Sequence, residues 1–172
     1  MTLLTEDLYC PPSNFRIVSG GQTGADRTGL DWALAHGVSH GGWCPKGRRR
    51  EDGQVPDHYV LQETPSASYL QRTEWNVRDS DATVVFTLQD KLEGGSKRTV
   101  EFAERHSRPC LHMRPGVHPK FLASFLSRHG VVTLNVAGSR ESSAPGIAEF
   151  VQQALSASVA VGPDPRQIEA AL

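Results

Sequence analysis

Gly20-Gly21-Gln22-Thr23-Gly24 is the first stretch of the chain whose residue types could do chemistry, and Asp26 and Arg27 follow it directly. Glycine lets a backbone come close to a ligand and adopt positive φ. A glycine-rich turn that runs into a helix offers unpaired N–H groups and a partial positive charge, which suits a phosphate or another anion. Two later turns repeat the theme, Gly94-Gly95-Ser96 and Gly138-Ser139-Arg140. The hydroxyls of Thr23 and Ser96 add possible hydrogen bonds. Each turn taken alone also reads as a tight strand-to-helix connection; convergence of two at neighbouring strand ends would make a pocket. No G-K-[ST] follows the first turn and it misses G-x-G-x-x-G, so metal-assisted hydrolysis of the phosphate-loop kind is not supported.

The other polar candidates each carry two readings. Asp26 stands where a carboxylate favours the helix dipole, or where it could meet a ribose hydroxyl or a metal. Arg27 could clamp an anion bidentately or lie in solvent. Lys46, Arg48, Arg49 and Arg50 form either a basic lid or a solvated run offset by Glu51 and Asp52. Trp43 and Trp75 could stack on a purine or pterin, or serve as core. Asn76 and Asp79 share a helix face, with Asp81 just beyond, and could bind a ligand or cap the helix. The histidines show no H-E-x-x-H spacing, and no metal site is expected.

The elements that must position these residues follow from periodicity. Strands are predicted over 15–19, 38–44, 82–88, 109–113 and 131–136. Helices are predicted over 25–36, from a Ser66 cap to 79, and over 97–105, 117–129 and 145–155. The segment 82–88 is nearly all apolar, as in a strand buried on both faces. Residues 45–65 are polar and proline-punctuated, long for a connection and often functional at that length. Strands alternating with helices predict an α/β domain with a mainly parallel sheet, helices on both faces and right-handed crossovers. The boundaries are a lead-in over 1–14, one ligand-binding domain over 15–157 and a tail over 158–172 that is loose or pairs with another chain.

The bulk numbers exclude several classes. A chain of 172 residues suits one domain. A formal net charge of −1 argues for neither nucleic acid nor membrane, so any anion site must be local. Three scattered cysteines argue against disulfides or a cysteine zinc site and fit a reducing cytoplasm. The first residues lack a signal-peptide pattern, and no apolar run reaches membrane-spanning length.

Four longer motifs carry a family resemblance. Residues 19–27 (SGGQTGADR), 41–48 (GGWCPKGR), 72–81 (RTEWNVRDSD), and 134–138 (LNVAG) with 144–146 (APG) resemble the putative molybdenum carrier family. That family is similar to a circularly permuted YpsA-like branch of the SLOG superfamily, which shares a Rossmann-like fold with lysine-decarboxylase-like nucleoside monophosphate hydrolases. The resemblance spans residues 15–155. It implies a Rossmann-like sheet, a homo-oligomer, and a small anionic ligand such as a nucleotide or the phosphate-bearing pterin of molybdenum cofactor.

The related hydrolases carry P-G-G-x-G-T-x-x-E, and the counterpart here is Gly94-Gly95-Ser96-Lys97-Arg98-Thr99-Val100-Glu101. Glu93 stands at the proline, Lys97 at the third glycine and Arg98 at the threonine. Glu101 keeps the spacing of the catalytic glutamate, and Arg72 and Arg78 are candidates for its arginine partner. The altered motif favours a carrier over the two alternatives, an N-glycosidic hydrolase and a nucleotide sensor without turnover. The expected ligand set is Gly20, Gly21, Gln22, Thr23, Gly24, Asp26 and Arg27 from the first turn, Gly94, Gly95, Ser96 and Thr99 from the second, and Asn76 and Lys46.

Overall fold

The computed structural model of the chain describes residues 8–162. The chain order begins β1 (Arg16–Val18), α1 (Ala25–Ala35), β2 (Ser39–Gly41) and β3 (Trp43–Cys44). It continues with β4 (Arg49–Arg50), β5 (Gly53–Gln54), β6 (Gln62–Glu63) and α2 (Tyr69–Arg78). β7 (Ala82–Phe86), α3 (Gly94–Arg105) and β8 (Cys110–Met113) come next, then α4 (Lys120–Arg128), β9 (Thr133–Gly138) and α5 (Ile147–Ser156). Five of the strands form one parallel sheet in the order β2-β1-β9-β7-β8.

Alternation along the central strands sorts residues between the two faces. Ile17, Val84, Phe86, Leu134 and Val136 join one large cluster with Trp32 of α1, Leu122 and Leu126 of α4, and Ile147 and Val151 of α5. On the other face, α2 and α3 pack on each other through Val77, Phe102 and Ala103. Between them the buried Asn135 donates to Thr83 Oγ1 at 3.2 Å, so a polar pair sits satisfied inside the layer. The fold is the α/β, Rossmann-like arrangement that the alternation and the resemblance imply.

The predicted elements differ from the observed ones where long-range contacts decide. The strand over 38–44 breaks in two. A Cβ on Gly42, at φ 123°, would lie 2.4 Å from the Ser19 carbonyl oxygen, so the chain turns out of the main sheet there. β3 then pairs in parallel with β6 in a small separate sheet. The polar segment 45–65 is ordered from inside. Arg48 donates to the carbonyls of Val55 at 3.1 Å, Pro56 at 2.9 Å and Tyr59 at 2.8 Å. Val55, Tyr59 and Leu61 bury against Leu30 and Cys44.

Helix starts differ as well. α2 is capped by Ser68, whose Oγ accepts from Leu70 N at 3.2 Å, and not by Ser66. Ser66 N instead donates to Gln71 Oε1 at 2.8 Å. α3 begins at Gly94, so Gly94, Gly95 and Ser96 form its first turn instead of a loop before it. Of the lead-in, Tyr9 is buried, donates from its hydroxyl to the Val131 carbonyl at 2.6 Å, and forms a bridge with Val159. The remainder of the tail, from residue 163, lies outside the described residues. Among those described, no helix is long and apolar enough to cross a membrane.

Candidate functional site

The sheet's connections leave in opposite directions at its centre. From β1 the chain moves through α1 to β2 on one side; from β7 it moves through α3 to β8 on the other. Ligands of open α/β sheets bind beyond the carboxyl ends of strands at such a switch. The expectation that the first two turns are direct neighbours is corrected, because β9 lies between β1 and β7. Its own turn completes the rim. Ala25 N donates to Ser139 O at 3.0 Å and Ser139 N to Phe86 O at 2.9 Å, which locks the three strand ends together. Glycine permits this approach: a Cβ on Gly24 would lie 2.4 Å from Ser139 O.

A cavity of about 760 Å³ opens over these ends. Its lining includes Gln22 and Asp26 from the first turn and α1, Gly94, Gly95, Ser96 and Thr99 from α3, and Ser139 and Arg140 after β9. Arg72 reaches in from α2 across Gly20, where a Cβ would sit 2.1 Å from its Nη1. Asp26 is 3% exposed, and its Oδ2 accepts from Arg72 Nη1 at 3.1 Å and from Gln22 N at 3.2 Å. Burial pushes the Asp26 carboxyl above the usual carboxylate range, while the Arg72 guanidinium and the neighbouring backbone amides pull against that rise.

Two residues that line this cavity each hold a buried donor with no acceptor. Gln22 Oε1 accepts from Thr23 N at 3.1 Å and from Glu51 N at 2.9 Å. Both partners are N–H groups, which fixes the amide orientation and makes the remaining atom a donor. That atom, Nε2, is buried and unpartnered, and so is Nε of Arg72. A buried donor left unpaired costs about 1–3 kcal/mol. The first turn of α3 adds amides that no side chain caps, since Glu93 at the cap position makes no such bond.

The other sequence candidates lie elsewhere. Gly21 faces Val55 and Leu61, where a Cβ would come within 2.9 Å of each. Thr23, Gly24 and Arg27 line a second cavity on the opposite side of the first turn. There Thr23 donates to Glu51, and Arg27 pairs with Asp31 at 3.4 Å. Asn76 neither meets the cavity nor caps its helix. It accepts from Trp43 N and donates to Trp43 O, both at 2.8 Å, and so pins β3 like a sheet partner.

Arg78 pairs with Asp79 at 2.7 Å and stacks on Trp75 at 4.6 Å, which removes it as a partner for Glu101. Trp43 and Trp75 pack edge-to-face at 4.8 Å and line none of the cavities described here. Lys46 is exposed and lines none of them either. Glu101 borders a third cavity and pairs with Arg98 at 2.8 Å, which holds its carboxyl below the usual range. Thr99 Oγ1 donates back to Gly95 O at 2.9 Å.

Sequence reasoning passed over Thr87 and Arg140 as site residues. Their signals were available: a hydroxyl just after an apolar strand, and a cation just after the third glycine turn. Glu51 was read only as an offset to nearby arginines. It closes the second cavity by accepting from Thr23 and from Ser142, with Arg140 Nη1 at 3.7 Å. Partial burial would raise its carboxyl, but the bonds from Ser142 and Thr23 outweigh burial and hold it below the ordinary value.

Fold and cavity together define a Rossmann-like α/β domain with its candidate site at the switch point of the sheet. The chain belongs to the circularly permutated YpsA SLOG family, whose pattern it matches over residues 17–159. A crystal structure described as "Putative molybdenum carrier protein", from Syntrophus aciditrophicus SB, is similar at 42% identity and a TM-score of 0.82, covering 87% of this chain and 97% of that one. No curated protein matches the chain.

Proposed function

We propose that the chain is a carrier that binds a phosphate-bearing nucleotide-like or pterin ligand in the cavity between the first turn and α3. The observation that carries this reading is the pair of buried donors without acceptors, Gln22 Nε2 and Arg72 Nε. A phosphate supplies several acceptor oxygens and would satisfy both while also meeting the uncapped amides of α3. The name of the 42% identical structural neighbour favours a molybdenum-containing cargo. The residues suit the phosphate of such a pterin, and they would hold the cargo through that group.

Retention is favoured over turnover because Glu101 is engaged by Arg98 and lies outside the lining of this cavity. Binding to the native state alone raises the melting temperature as ligand rises above its Kd. A thermal-shift series with a nucleoside monophosphate, a pterin phosphate and molybdate tests the reading. The expected result is a dose-dependent rise with at least one phosphate-bearing ligand, lost in Gln22→Ala. No shift with any of them, or a shift that survives Gln22→Ala, contradicts the reading. Release of free base that disappears in Glu101→Ala would replace the carrier with a hydrolase.

A further inference from the structure

The cavity that Glu101 borders, of about 890 Å³, shares Gly94, Gly95 and Arg140 with the candidate site, so the two adjoin across the first turn of α3. Its wall carries Tyr69, the first residue of α2. Three guanidinium groups lie over that one ring: Arg49 at 5.1 Å from its centroid, Arg72 at 5.5 Å and Arg140 at 5.9 Å.

Carboxylates neutralise this cluster only in part. Arg72 is engaged by Asp26. The carboxylate nearest Arg140 is Glu51, at 3.7 Å, and that group already accepts from Thr23 and Ser142. Arg49 forms no ion pair or side-chain hydrogen bond among the described residues and rests only on the ring face. Lys97 and Arg98 on the same cavity add positive charge, against the single carboxylate of Glu101. Like charges drawn together at one place repel, and a ring face is a weaker partner for guanidinium than a phosphate is. An arginine fork matches the oxygens of a phosphate bidentately.

Resting on the function proposed above, we propose that the ligand carries two linked phosphates, the first on Gln22, Arg72 and the amides of α3, the second between Arg49 and Arg140 beside Tyr69. Arg72 and Arg49 lie over the same ring, and Arg140 lines both cavities, so one guanidinium follows another along the path of a diphosphate. The ligand class is therefore a diphosphate-bearing nucleotide or pterin instead of a monophosphate.

Calorimetric titration of the full chain with AMP and with ADP, at one ionic strength, tests this. ADP is expected to bind about tenfold more tightly than AMP, the gain from one further charge-assisted contact. Arg49→Ala is expected to erase that preference and leave AMP affinity within about twofold. Arg49 is exposed and its side chain makes no hydrogen bond or ion pair among the described residues, so its truncation leaves the fold intact, which an unchanged melting temperature verifies. Lys46→Ala, which removes a nearby charge from outside the cavities, is expected to keep the preference. AMP binding with no preference for ADP, a preference that survives Arg49→Ala, or one equally lost in Lys46→Ala, overturns the inference alone. Failure of both nucleotides to bind overturns the inference, and if the pterin phosphate gives no thermal shift either, it overturns the function on which it rests as well.

Discussion

The two cavities that flank the first glycine turn are alike in size, each about 760 Å³, and opposite in chemistry. The turn and the start of α1 send Gln22 and Asp26 to one side and Thr23 and Arg27 to the other. On the first side, two buried donors lack acceptors. On the second, the acidic groups are largely engaged: Glu51 with Thr23 and Ser142, and Asp31 with Arg27 and Tyr59. Volume therefore does not distinguish a binding site here. Unmet hydrogen-bonding capacity in the lining does: Gln22 and Arg72 line the first cavity, whereas Arg50, whose Nε and Nη1 also lack hydrogen-bond partners, lines neither.

The comparison is broken most severely at the Asp26–Arg72 pair. Arg72→Ala leaves a carboxylate buried and unpaired, which costs about 3–5 kcal/mol. Urea unfolding should register that loss and calorimetry a loss of ligand binding. Burial already pushes the Asp26 carboxyl up. The Asp26→Asn/Arg72→Ala double variant, with no buried charge, should recover much of the stability and none of the binding. A double variant as unstable as the single one would show that the pair's packing matters and its charge does not.

Gln22→Glu comes next. It keeps an oxygen for the amides of Thr23 and Glu51 but turns the free donor into an acceptor. Ligand affinity should fall between about tenfold and a hundredfold, the worth of a hydrogen bond to a charged group. Unchanged affinity in a phosphate-ligand titration would remove the amide from the site.

The opposite cavity should respond to pH instead. The Glu51 carboxyl sits below its ordinary 4.5 in the folded chain, so its stabilising contribution is present above 4.5 and is lost as pH falls through the lowered folded value. Glu51→Gln should flatten the acid limb of a stability-against-pH curve while leaving ligand affinity in place, because the bond to Gln22 comes from the Glu51 backbone. The smallest effect is expected from Arg27→Ala. Its pair with Asp31 is half exposed, at 53% and 46%, and such pairs contribute about 0.5 kcal/mol or less. Melting temperature and ligand affinity should both stay nearly unchanged.

Much of this architecture was legible in the chain. β7 declared itself because burial on both faces leaves an unbroken apolar run, and all five of its residues are buried. The first and third glycine turns were legible because glycine is required where strand ends crowd one another, as at Gly24 and Gly138, whereas nothing crowds Gly94 or Gly95. What was not legible depends on partners distant in sequence. The break at Gly42 is imposed by Ser19 of another strand end. The orientation of the Gln22 amide is set by the backbone of Glu51, 29 residues away. Asn76 looked like a ligand contact because an isolated asparagine on a helix does not reveal that β3, 33 residues back, takes both its donor and its acceptor.

The most direct measurement is a crystal structure of the chain with a bound nucleoside monophosphate. The expected result puts phosphate oxygens within hydrogen-bond distance of Gln22 Nε2 and Arg72 Nε, at the first turn of α3. A phosphate seated on the other side of the turn, beside Thr23 and Glu149, would contradict it.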